Sequence, residues 1–501
     1  MKKVIVRGGP SPTSKFGLHV GNLRTLLYNY AFAKQNGGEF YIRIEDTDRQ
    51  RFQEGAEELI KKSLEWLGIE PDYAPWKPAK SGEKSVLRQS ERDYSKHIKY
   101  LLENDHAYYA FDTKEELDKL REEDKHFSYS YKNRDSLNNS LNMSEKEVEE
   151  KIKEGHYVIR FKVPKDKQII FEDLIRGEVK FNSSELDDKI LLKSNGIGSY
   201  HLCNVCDDHD MGTTHVIRGE EWLPSAPLHV LLYEAFGWER PIFAHLPLIF
   251  NPPGHKGKLS KRKSAKLGFP IFPFGGKDID NKGNEIDILG FVDEGYEPDA
   301  LLNYLALLGW SNKDNKEIMT KDFFIENFKF ENVNNSGAKF DIEKLNWYNS
   351  EHIKMLTIKD IFTDEQIENN SEDMLNKVLD FAKERSFFKK DLMPIINAFI
   401  NFKNNYSNKD SLNKEYTTVF KDFVAHLEES DIDFSKVKGQ DLKDIIYKIS
   451  VKKHNIKFGK VMPGLREALM GGISGPNLVD TMIVLGKDET IKRIKESCEI
   501  N

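Results

Sequence analysis

The first 45 residues carry the hydrophobic pattern of a strand, a helix and a second strand. Val4–Arg7 is mainly apolar and ends in a loop with two glycines and two prolines, which interrupt regular structure. From Leu23 the apolar residues recur at helical spacing until Asn36–Gly38 ends the pattern. Glu39–Glu45 then largely alternates polar with apolar residues, as a half-buried strand does. This order predicts a βαβ unit and a parallel sheet.

The pattern changes three times further along the chain. Charge-rich helical segments indicate an inserted domain, strand and helix patterns resume between Tyr200 and Phe250, and amphipathic segments dominate the last third. The predicted fold class is α/β: a parallel-sheet domain, split by the insertion and followed by an all-α region. The predicted boundaries are 1–95 with 195–265 for the sheet domain, 96–194 for the insertion, 266–335 for a connecting region and 336–501 for the helical domain.

Composition narrows the class of protein and its compartment. The 501 residues include 75 Lys and Arg against 82 Asp and Glu, a net charge of −7, which is ordinary for a multi-domain globular protein. No apolar stretch reaches the roughly 18 residues that cross a bilayer, and we find no secretion signal. Three cysteines are too few for a disulfide framework. We therefore expect a cytoplasmic protein without membrane contact. We also expect a monomer, although nothing in the composition decides the oligomeric state.

Two segments carry residues suited to phosphate chemistry. His19–Asn22 lies where the first loop enters the first helix, so a ring nitrogen and free backbone N–H groups can face one anion, and Gly21 allows close approach. Lys258–Arg262 gathers three cations and a hydroxyl in a loop, which can follow charge as it develops on a leaving pyrophosphate. Each segment alone also fits an ordinary helix start or a lysine-rich surface loop.

Together, in this order, the two segments resemble the signature sequences HIGH and KMSKS of class I aminoacyl-tRNA synthetases. Surrounding segments are similar to the bacterial glutamyl-tRNA synthetases, namely Arg7–Thr13, Arg43–Asp48, Tyr200–Asp208 and Arg218–Trp222. The resemblance implies a Rossmann-like catalytic domain, an inserted domain that binds the tRNA acceptor end and a helical domain that binds the anticodon. It also implies that L-glutamate is activated with ATP and Mg²⁺ to glutamyl-adenylate and transferred to the 3′-terminal adenosine of tRNA-Glu.

The same resemblance implies a role for each site residue. The implied catalytic residues are His19, Lys258 and Lys261. The implied ATP-binding residues are His19, Gly21, Asn22, Lys258, Ser260 and Lys261. The implied glutamate-binding residues are Arg7, Gly9, Ser11, Glu45, Tyr200, Asn204 and Arg218. Cations suit the two carboxylates of glutamate, and an acid suits its ammonium group.

Other interpretations stay open at this point. Arg7 and Glu45 could form an ion pair at the strand ends, and Arg218 could pair with Glu220 or Glu221 and brace its loop. A glutaminyl-tRNA synthetase shares the catalytic frame but usually continues into β-barrels, and a non-catalytic tRNA-binding paralogue should have lost the nucleotide residues. The helical last third and the retained signatures favour the glutamate enzyme. Whether tRNA-Gln is also charged, and which residues contact the anticodon, stays open.

The chain departs from the family pattern at three places. Ser14–Leu18 lengthens the first loop. Leu267–Gly290 lengthens the link after the lysine loop, Lys258–Arg262, and the sequence does not indicate what this longer link does. Ala110–Asp112 stands where many relatives carry a Cys-x-Cys zinc motif, so we expect no structural zinc.

Two further pairs of residues raise the question of a metal. Asp46 and Asp48 have the spacing of a hard-cation site, yet the resemblance favours capping of the turn after the strand, with Mg²⁺ arriving with ATP. Cys203 and Cys206 form a C-x-x-C pair, which can indicate zinc or redox chemistry. Because Asn204 between them belongs to the implied glutamate pocket, we favour two buried small apolar groups. We therefore predict no metal site built by the protein itself.

Overall fold

The computed structural model describes residues 3–280, 282–400, 412, 414–434, 436–472 and 477–499. The chain divides into two compact units, one formed by Met1–Asp293 with Pro298–Leu345 and the other by Glu294–Glu297 with Asn346–Asn501. The predicted α/β architecture followed by a helical region is confirmed. The finer domain boundaries stay a prediction.

The predicted βαβ unit is present at the start of the first unit. It consists of β1 (Ile5–Gly8), α1 (Val20–Gln35) and β2 (Glu39–Ile42), and α2 (Ala56–Trp66) follows. β1 and β2 pair in parallel, with Arg7 opposite Tyr41. α1 buries the apolar positions that predict it, Leu23 and Leu27 among them. Because parallel strands end at the same sheet edge, the segments that follow β1 and β2 emerge side by side.

The region predicted as an insertion contributes to two sheets. Its elements are α3 (Ser95–Glu103), β3 (Ala107–Ala110), α4 (Lys114–Glu123), α5 (Glu145–Glu154), β4 (Val158–Phe161), β5 (Gln168–Asp173), β6 (Gly177–Asn182) and β7 (Ile190–Leu192). β3, β4 and β7 form a three-stranded antiparallel sheet. β5 and β6 instead belong to a four-stranded sheet that includes strands from beyond the insertion.

The chain from residue 200 to 339 lies in the first unit, except for Glu294–Glu297. Its elements are α6 (Tyr200–Asp210), β8 (His215–Gly219), α7 (Ala226–Phe236), β9 (Ile242–Leu246), β10 (Ile249–Phe250), α8 (Lys261–Leu267), β11 (Gly276–Ile279), β12 (Glu285–Ile288), α9 (Phe291–Glu294), α10 (Pro298–Leu307), α11 (Lys321–Asn327) and β13 (Ala338–Lys339). The four-stranded sheet has the order β6-β5-β9-β8, and β9 pairs in parallel with both β5 and β8. This long-range pairing brings Asp173, at the end of β5, beside His245 of β9.

The second unit contains helices and no strand among its described residues. They are α12 (Ile342–Met355), which starts in the first unit, α13 (Ile358–Ile361), α14 (Asp364–Asn369), α15 (Glu372–Lys383), α16 (Lys389–Ile400), α17 (Lys414–Glu429), α18 (Gly439–Tyr447), α19 (Phe458–Met470) and α20 (Leu478–Cys498). One cluster of buried apolar residues, between Ile353 and Ile494, forms a core within this unit. Across the described residues, no helix combines the length and apolar character that a membrane span requires.

Candidate active site

A cavity of about 790 Å³ lies outside the carboxyl ends of β1, β8 and β9, where open α/β sheets usually bind ligands. The predicted site residues that line it are Arg7, Gly9, Ser11, His19, Gly21, Asn22, Glu45, Tyr200, Arg218, Lys258, Ser260 and Lys261. The thirteenth, Asn204, hydrogen-bonds to two of these side chains from beneath. The structure therefore brings all the predicted site residues together, and their individual roles stay a prediction.

The first loop enters α1 at His19, which is the N-cap residue of the helix. Its Nδ1 atom accepts a hydrogen bond of 3.0 Å from the backbone N–H of Gly21. Burial and the nearby Lys258 ammonium lower the pKa of His19 to about 4. The ring is therefore neutral at neutral pH and carries its proton on Nε2. At a helix N-terminus, the Nε2–H group of a neutral imidazole can donate a hydrogen bond to a phosphate oxygen.

The loop predicted at Lys258–Arg262 ends at Ser260, because Lys261 and Arg262 begin α8. Lys258 of the loop and Lys261 of the helix are both paired with carboxylates. Lys258 Nζ lies 3.1 Å from Glu221 Oε1, and Lys261 Nζ lies 2.5 Å from Asp278 Oδ2. The Asn251 side chain donates to the carbonyl oxygens of residues 256, 257 and 258 and so anchors the loop. An ammonium group has three N–H donors, so one ion pair leaves it able to bind a further anion.

At the wall of the cavity, Arg7, Arg43, Glu45 and Asp208 form one hydrogen-bond network with Asn204. Arg7 Nε donates to Asp208 Oδ1 at 3.1 Å, and Arg7 Nη2 donates to Asn204 Oδ1 at 3.2 Å. Arg43 donates to Asp208 Oδ1 at 2.8 Å and to Glu45 Oε1 at 3.0 Å. Asn204 Nδ2 also donates to Glu45 Oε1, at 2.9 Å. The alternative of an Arg7–Glu45 ion pair is therefore wrong, because Arg43 takes the place of Arg7.

This network shifts the pKa values of its two carboxylates in opposite directions. Burial raises the pKa of Glu45, and the neighbouring Arg43 and Arg7 offset that rise only in part. Burial acts on Asp208 in the same way, but the two arginines bond it directly and hold its pKa below the ordinary value. A Cβ on Gly9 would lie 2.3 Å from Glu45 Oε1, so any other residue at this position would displace the carboxylate.

Arg218, at the end of β8, is buried and held by neutral groups. It donates from Nη1 to the Tyr200 hydroxyl at 3.2 Å, from Nη2 to the Trp222 carbonyl at 3.3 Å and from Nε to His245 Nε2 at 3.1 Å. His245 Nδ1 lies 2.6 Å from Asp173 Oδ2. Burial lowers the pKa of His245 even though Asp173 acts to raise it. The neutral ring therefore donates to Asp173 and accepts from Arg218, which fixes the guanidinium plane.

The other alternative, a brace between Arg218 and a neighbouring glutamate, is also wrong. Glu220 pairs with Arg176, and Glu221 pairs with Lys258. Within the described residues, no carboxylate bonds Arg218 directly. A buried cation at a cavity wall without a counter-charge in contact marks a place for an anionic ligand group.

Comparison with known proteins identifies the family. A profile described as "tRNA synthetases class I (E and Q), catalytic domain" matches residues 3–270 and 282–347, and an "Anticodon binding domain" profile matches residues 344–498. The chain belongs to the class I glutamyl- and glutaminyl-tRNA synthetase family. Segment 271–281 of this synthetase lies between the two ranges of the catalytic match.

Proteins similar to this synthetase match along its whole length. The glutamate–tRNA ligase of Flavobacterium johnsoniae is 43% identical over 99% of this chain and 99% of its own. That of Bacteroides fragilis is 44% identical over 100% of this chain and 99% of its own. The crystal structure of a glutamate tRNA ligase from Elizabethkingia meningosepticum, in complex with its amino acid, is 42% identical, has a TM-score of 0.79 and matches 100% of both chains.

Neither pair of candidate metal ligands assembles a site in the synthetase. Asp46 accepts hydrogen bonds from the Ser90 N–H and hydroxyl, whereas Asp48 pairs with Arg51 at the surface. Asp48 therefore caps its own turn as predicted, and Asp46 instead connects two segments. In the part of the chain that the structure describes, no three His, Cys, Asp or Glu side chains form a metal-binding group.

Cys203 and Cys206 lie on the buried side of α6 in the synthetase. A Cβ on Gly198 would lie 2.5 Å from Cys203 Sγ, so the thiol occupies space that glycine leaves. Burial raises the pKa of both thiols. They behave as small apolar groups of the core, as the sequence favours.

Several residues of the synthetase site were not among the candidates. They are Arg43, Asp208, Asp173, His245, Asn251 and Asp278. Arg43 and Asp208 lie inside the segments that carry the family resemblance, so a signal for them existed. Asp173 and His245 give no local signal, because they meet only through the parallel pairing of β5 with β9. Asp278 lies in the unexplained segment after the lysine loop.

Proposed function

We propose that this synthetase is a glutamate–tRNA ligase, which activates L-glutamate with ATP and transfers it to the 3′-terminal adenosine of tRNA-Glu. Arg218 carries the proposal, because it is a buried guanidinium at the cavity wall, oriented by His245 and not bonded to a carboxylate of the described chain. The side-chain carboxylate of glutamate satisfies this fork of donors. Glutamine would place its own NH₂ donors against them.

The remaining cavity residues suit the other parts of the two substrates. Glu45 provides the acid for the substrate ammonium group. Lys258 and Lys261 provide cations for the ATP phosphates, and His19 provides the neutral N–H donor at the start of α1. Mg²⁺ enters as part of the ATP complex and screens the phosphate charge.

The reaction needs no covalent intermediate with the protein. An oxygen of the glutamate α-carboxylate attacks the α-phosphorus of ATP, and pyrophosphate leaves. A hydroxyl of the terminal ribose of tRNA then attacks the activated carbonyl, and AMP leaves. The contribution of the protein is to position the reacting groups and to stabilise phosphate charge as it develops.

Charging assays with purified components test the proposal. Glutamate and glutamine would each be offered with tRNA-Glu and with tRNA-Gln, and the aminoacyl-tRNA products would be quantified. We expect ATP-dependent glutamylation of tRNA-Glu, and the same assay measures whether tRNA-Gln is a second acceptor of glutamate. Preferential glutaminylation would indicate a glutaminyl-tRNA synthetase, and no charging in any combination would indicate a non-catalytic paralogue. We also expect a cytoplasmic monomer, which sedimentation and cell fractionation test.

A further inference from the structure

The two lengthened segments of the chain meet at the lysine loop. The segment after α8 forms an antiparallel hairpin of β11 and β12, in which Asp278 lies opposite Ile286. The Asp278 carboxylate takes one lysine on each oxygen: Lys15 Nζ lies 3.2 Å from Oδ1, and Lys261 Nζ lies 2.5 Å from Oδ2. Lys15 belongs to the longer first loop, whereas Lys261 lines the cavity.

Phe16 joins the same three residues into one packed group. The Lys15 and Lys261 ammonium groups lie 5.5 Å and 5.6 Å from the centre of its buried ring. The Phe274 N–H donates to the Phe16 carbonyl at 3.3 Å, so the backbone of the hairpin segment is tied to the first loop. A cation over an aromatic face is stabilised, but two cations beside one ring repel each other. The Asp278 carboxylate between them offsets that repulsion.

The same hairpin segment also contacts the start of α1. Phe272 packs edge-on against His19 with ring centres 5.4 Å apart, and the Val20 N–H donates to the Ile271 carbonyl at 2.9 Å. The segment therefore contacts the first signature through its backbone and the second through Asp278. Segment 271–281, which carries these contacts, is outside the matched ranges of the family profile.

We propose that Asp278 is a positioning residue for the activation step: it holds the Lys261 ammonium beside Phe16 at the mouth of the cavity, where the ATP phosphates meet it. This inference rests on the proposed function. Lys15 pairs with the other carboxylate oxygen of Asp278 and so fixes the orientation of the carboxylate toward Lys261. Asp278 contacts no substrate and acts only through Lys261.

Rapid kinetics with a matched pair of variants test the proposal. Asp278→Asn removes the charge that holds Lys261, whereas Asp287→Asn removes the same charge from an exposed position on the opposite strand. With tRNA present, the single-turnover rate of adenylate formation should fall about tenfold in Asp278→Asn, the scale of one charge-assisted hydrogen bond, while the KM for glutamate is unchanged. Asp278→Glu should recover most of the rate, and Asp287→Asn should match the wild type.

Combining Asp278→Asn with Lys261→Ala tests whether Asp278 acts through Lys261 or whether its loss damages the active site in general. In a Lys261→Ala background, Asp278→Asn should cause no further loss, because its effect passes through Lys261. If Asp278→Asn lowers the rate of adenylate formation by the same factor in the Lys261→Ala background as in the wild type, the proposal is overturned. A faster rate in Asp278→Asn would also overturn it, because Asp278 would then restrain Lys261 instead of positioning it.

Limited proteolysis supplies a readout that needs no catalysis. Trypsin cleavage after Lys261 and Arg262 should rise at least about fivefold in Asp278→Asn relative to Asp287→Asn, since the start of α8 loses its ion pair with the hairpin and opens locally. Equal cleavage of the two variants would overturn the proposed contact. If the wild-type protein charges no tRNA, the proposed function fails, and the proteolysis result still decides whether Asp278 holds the loop.

Discussion

Arg7 and Arg218 are both buried arginines of the cavity wall, but their neighbours give them different tasks. Arg7 is already neutralised by Asp208 and shares that carboxylate with Arg43. The described neighbours that bond Arg218 are a phenol, two neutral imidazoles (His245 and His229) and a backbone carbonyl. A desolvated cation without a counter-ion is unfavourable until an anion reaches it. We therefore expect Arg7 to organise the site and Arg218 to discriminate between substrates.

The first prediction concerns this discrimination. Arg218→Gln removes the cation, so glutamate should lose about 2–4 kcal/mol of transition-state stabilisation, the scale of breaking a buried charged pair. Glutamine should lose much less, because its amide gains nothing from the charge. The measurement is kcat/KM for both amino acids in tRNA charging. Arg176→Gln is the matched control, since it breaks the pair with Glu220 outside the cavity and should leave the ratio unchanged. Equal depression of both amino acids by Arg218→Gln would contradict the assignment.

The second prediction concerns the protonation of His19. Its pKa is lowered from the ordinary value to about 4, so the ring stays neutral across pH 5.5–8. His19→Asn should therefore slow activation by the same factor throughout that range, because no protonation event is removed. A His19 that titrated near its ordinary pKa would instead make the wild-type to variant ratio change with pH. Because burial penalises the protonated ring, the folded state also loses stability as the pH falls from about 6.5 to 4 and the unfolded chain binds the proton more readily.

At the scale of elements, local patterns were predictable and long-range pairings were not. The βαβ start could be predicted because Val4–Glu45 shows the helical spacing of apolar residues and the two-residue alternation of a strand within one short stretch. The hairpin of β11 and β12 could not, because each strand has only four residues and most of them are exposed, so the short Glu-Ile-Asp-Ile alternation of β12 buries little apolar surface. The contact of β5 with β9 joins Asp173 to a strand about 70 residues away, and no local pattern encodes such a pairing. For that reason Arg218 and Tyr200 were candidates, whereas His245 and Asp173, which orient Arg218 from β9 and β5, were not.

The third prediction belongs to α6, which carries two thiols on its buried side. The thiolate is the reactive form, and burial raises the pKa of all three thiols, but Cys203 and Cys206 are buried whereas Cys498 is half-buried. An aromatic disulfide reagent should therefore label the half-buried Cys498 first and the other two only after unfolding. Thiol titration with and without guanidinium measures this. In Cys498→Ser no rapid labelling should remain, and rapid modification of either α6 thiol in the native protein would contradict the packing assignment.

At the scale of the whole molecule, the chain places its chemistry in one unit and a second hydrophobic core in the other. Every predicted site residue lies between Arg7 and Lys261, inside the first unit. The core between Ile353 and Ile494 belongs to the second unit, which the anticodon-binding profile matches. The net charge of −7 shows no overall attraction to nucleic acid, so tRNA binding would depend on local faces.

The last prediction follows from this division. A chain shortened to residues 1–345 loses the second core as a whole, so the cavity and the residues that line it should persist. Binding of a non-hydrolysable glutamyl-adenylate analogue, measured by calorimetry, should stay within about threefold of the full chain, as expected for a change in an independent unit. Charging of tRNA-Glu should fall by at least about 100-fold, because one of two linked binding modules is lost. A circular dichroism melt confirms folding of the shortened chain. Full charging by that folded protein would refute the view that the helical unit engages tRNA.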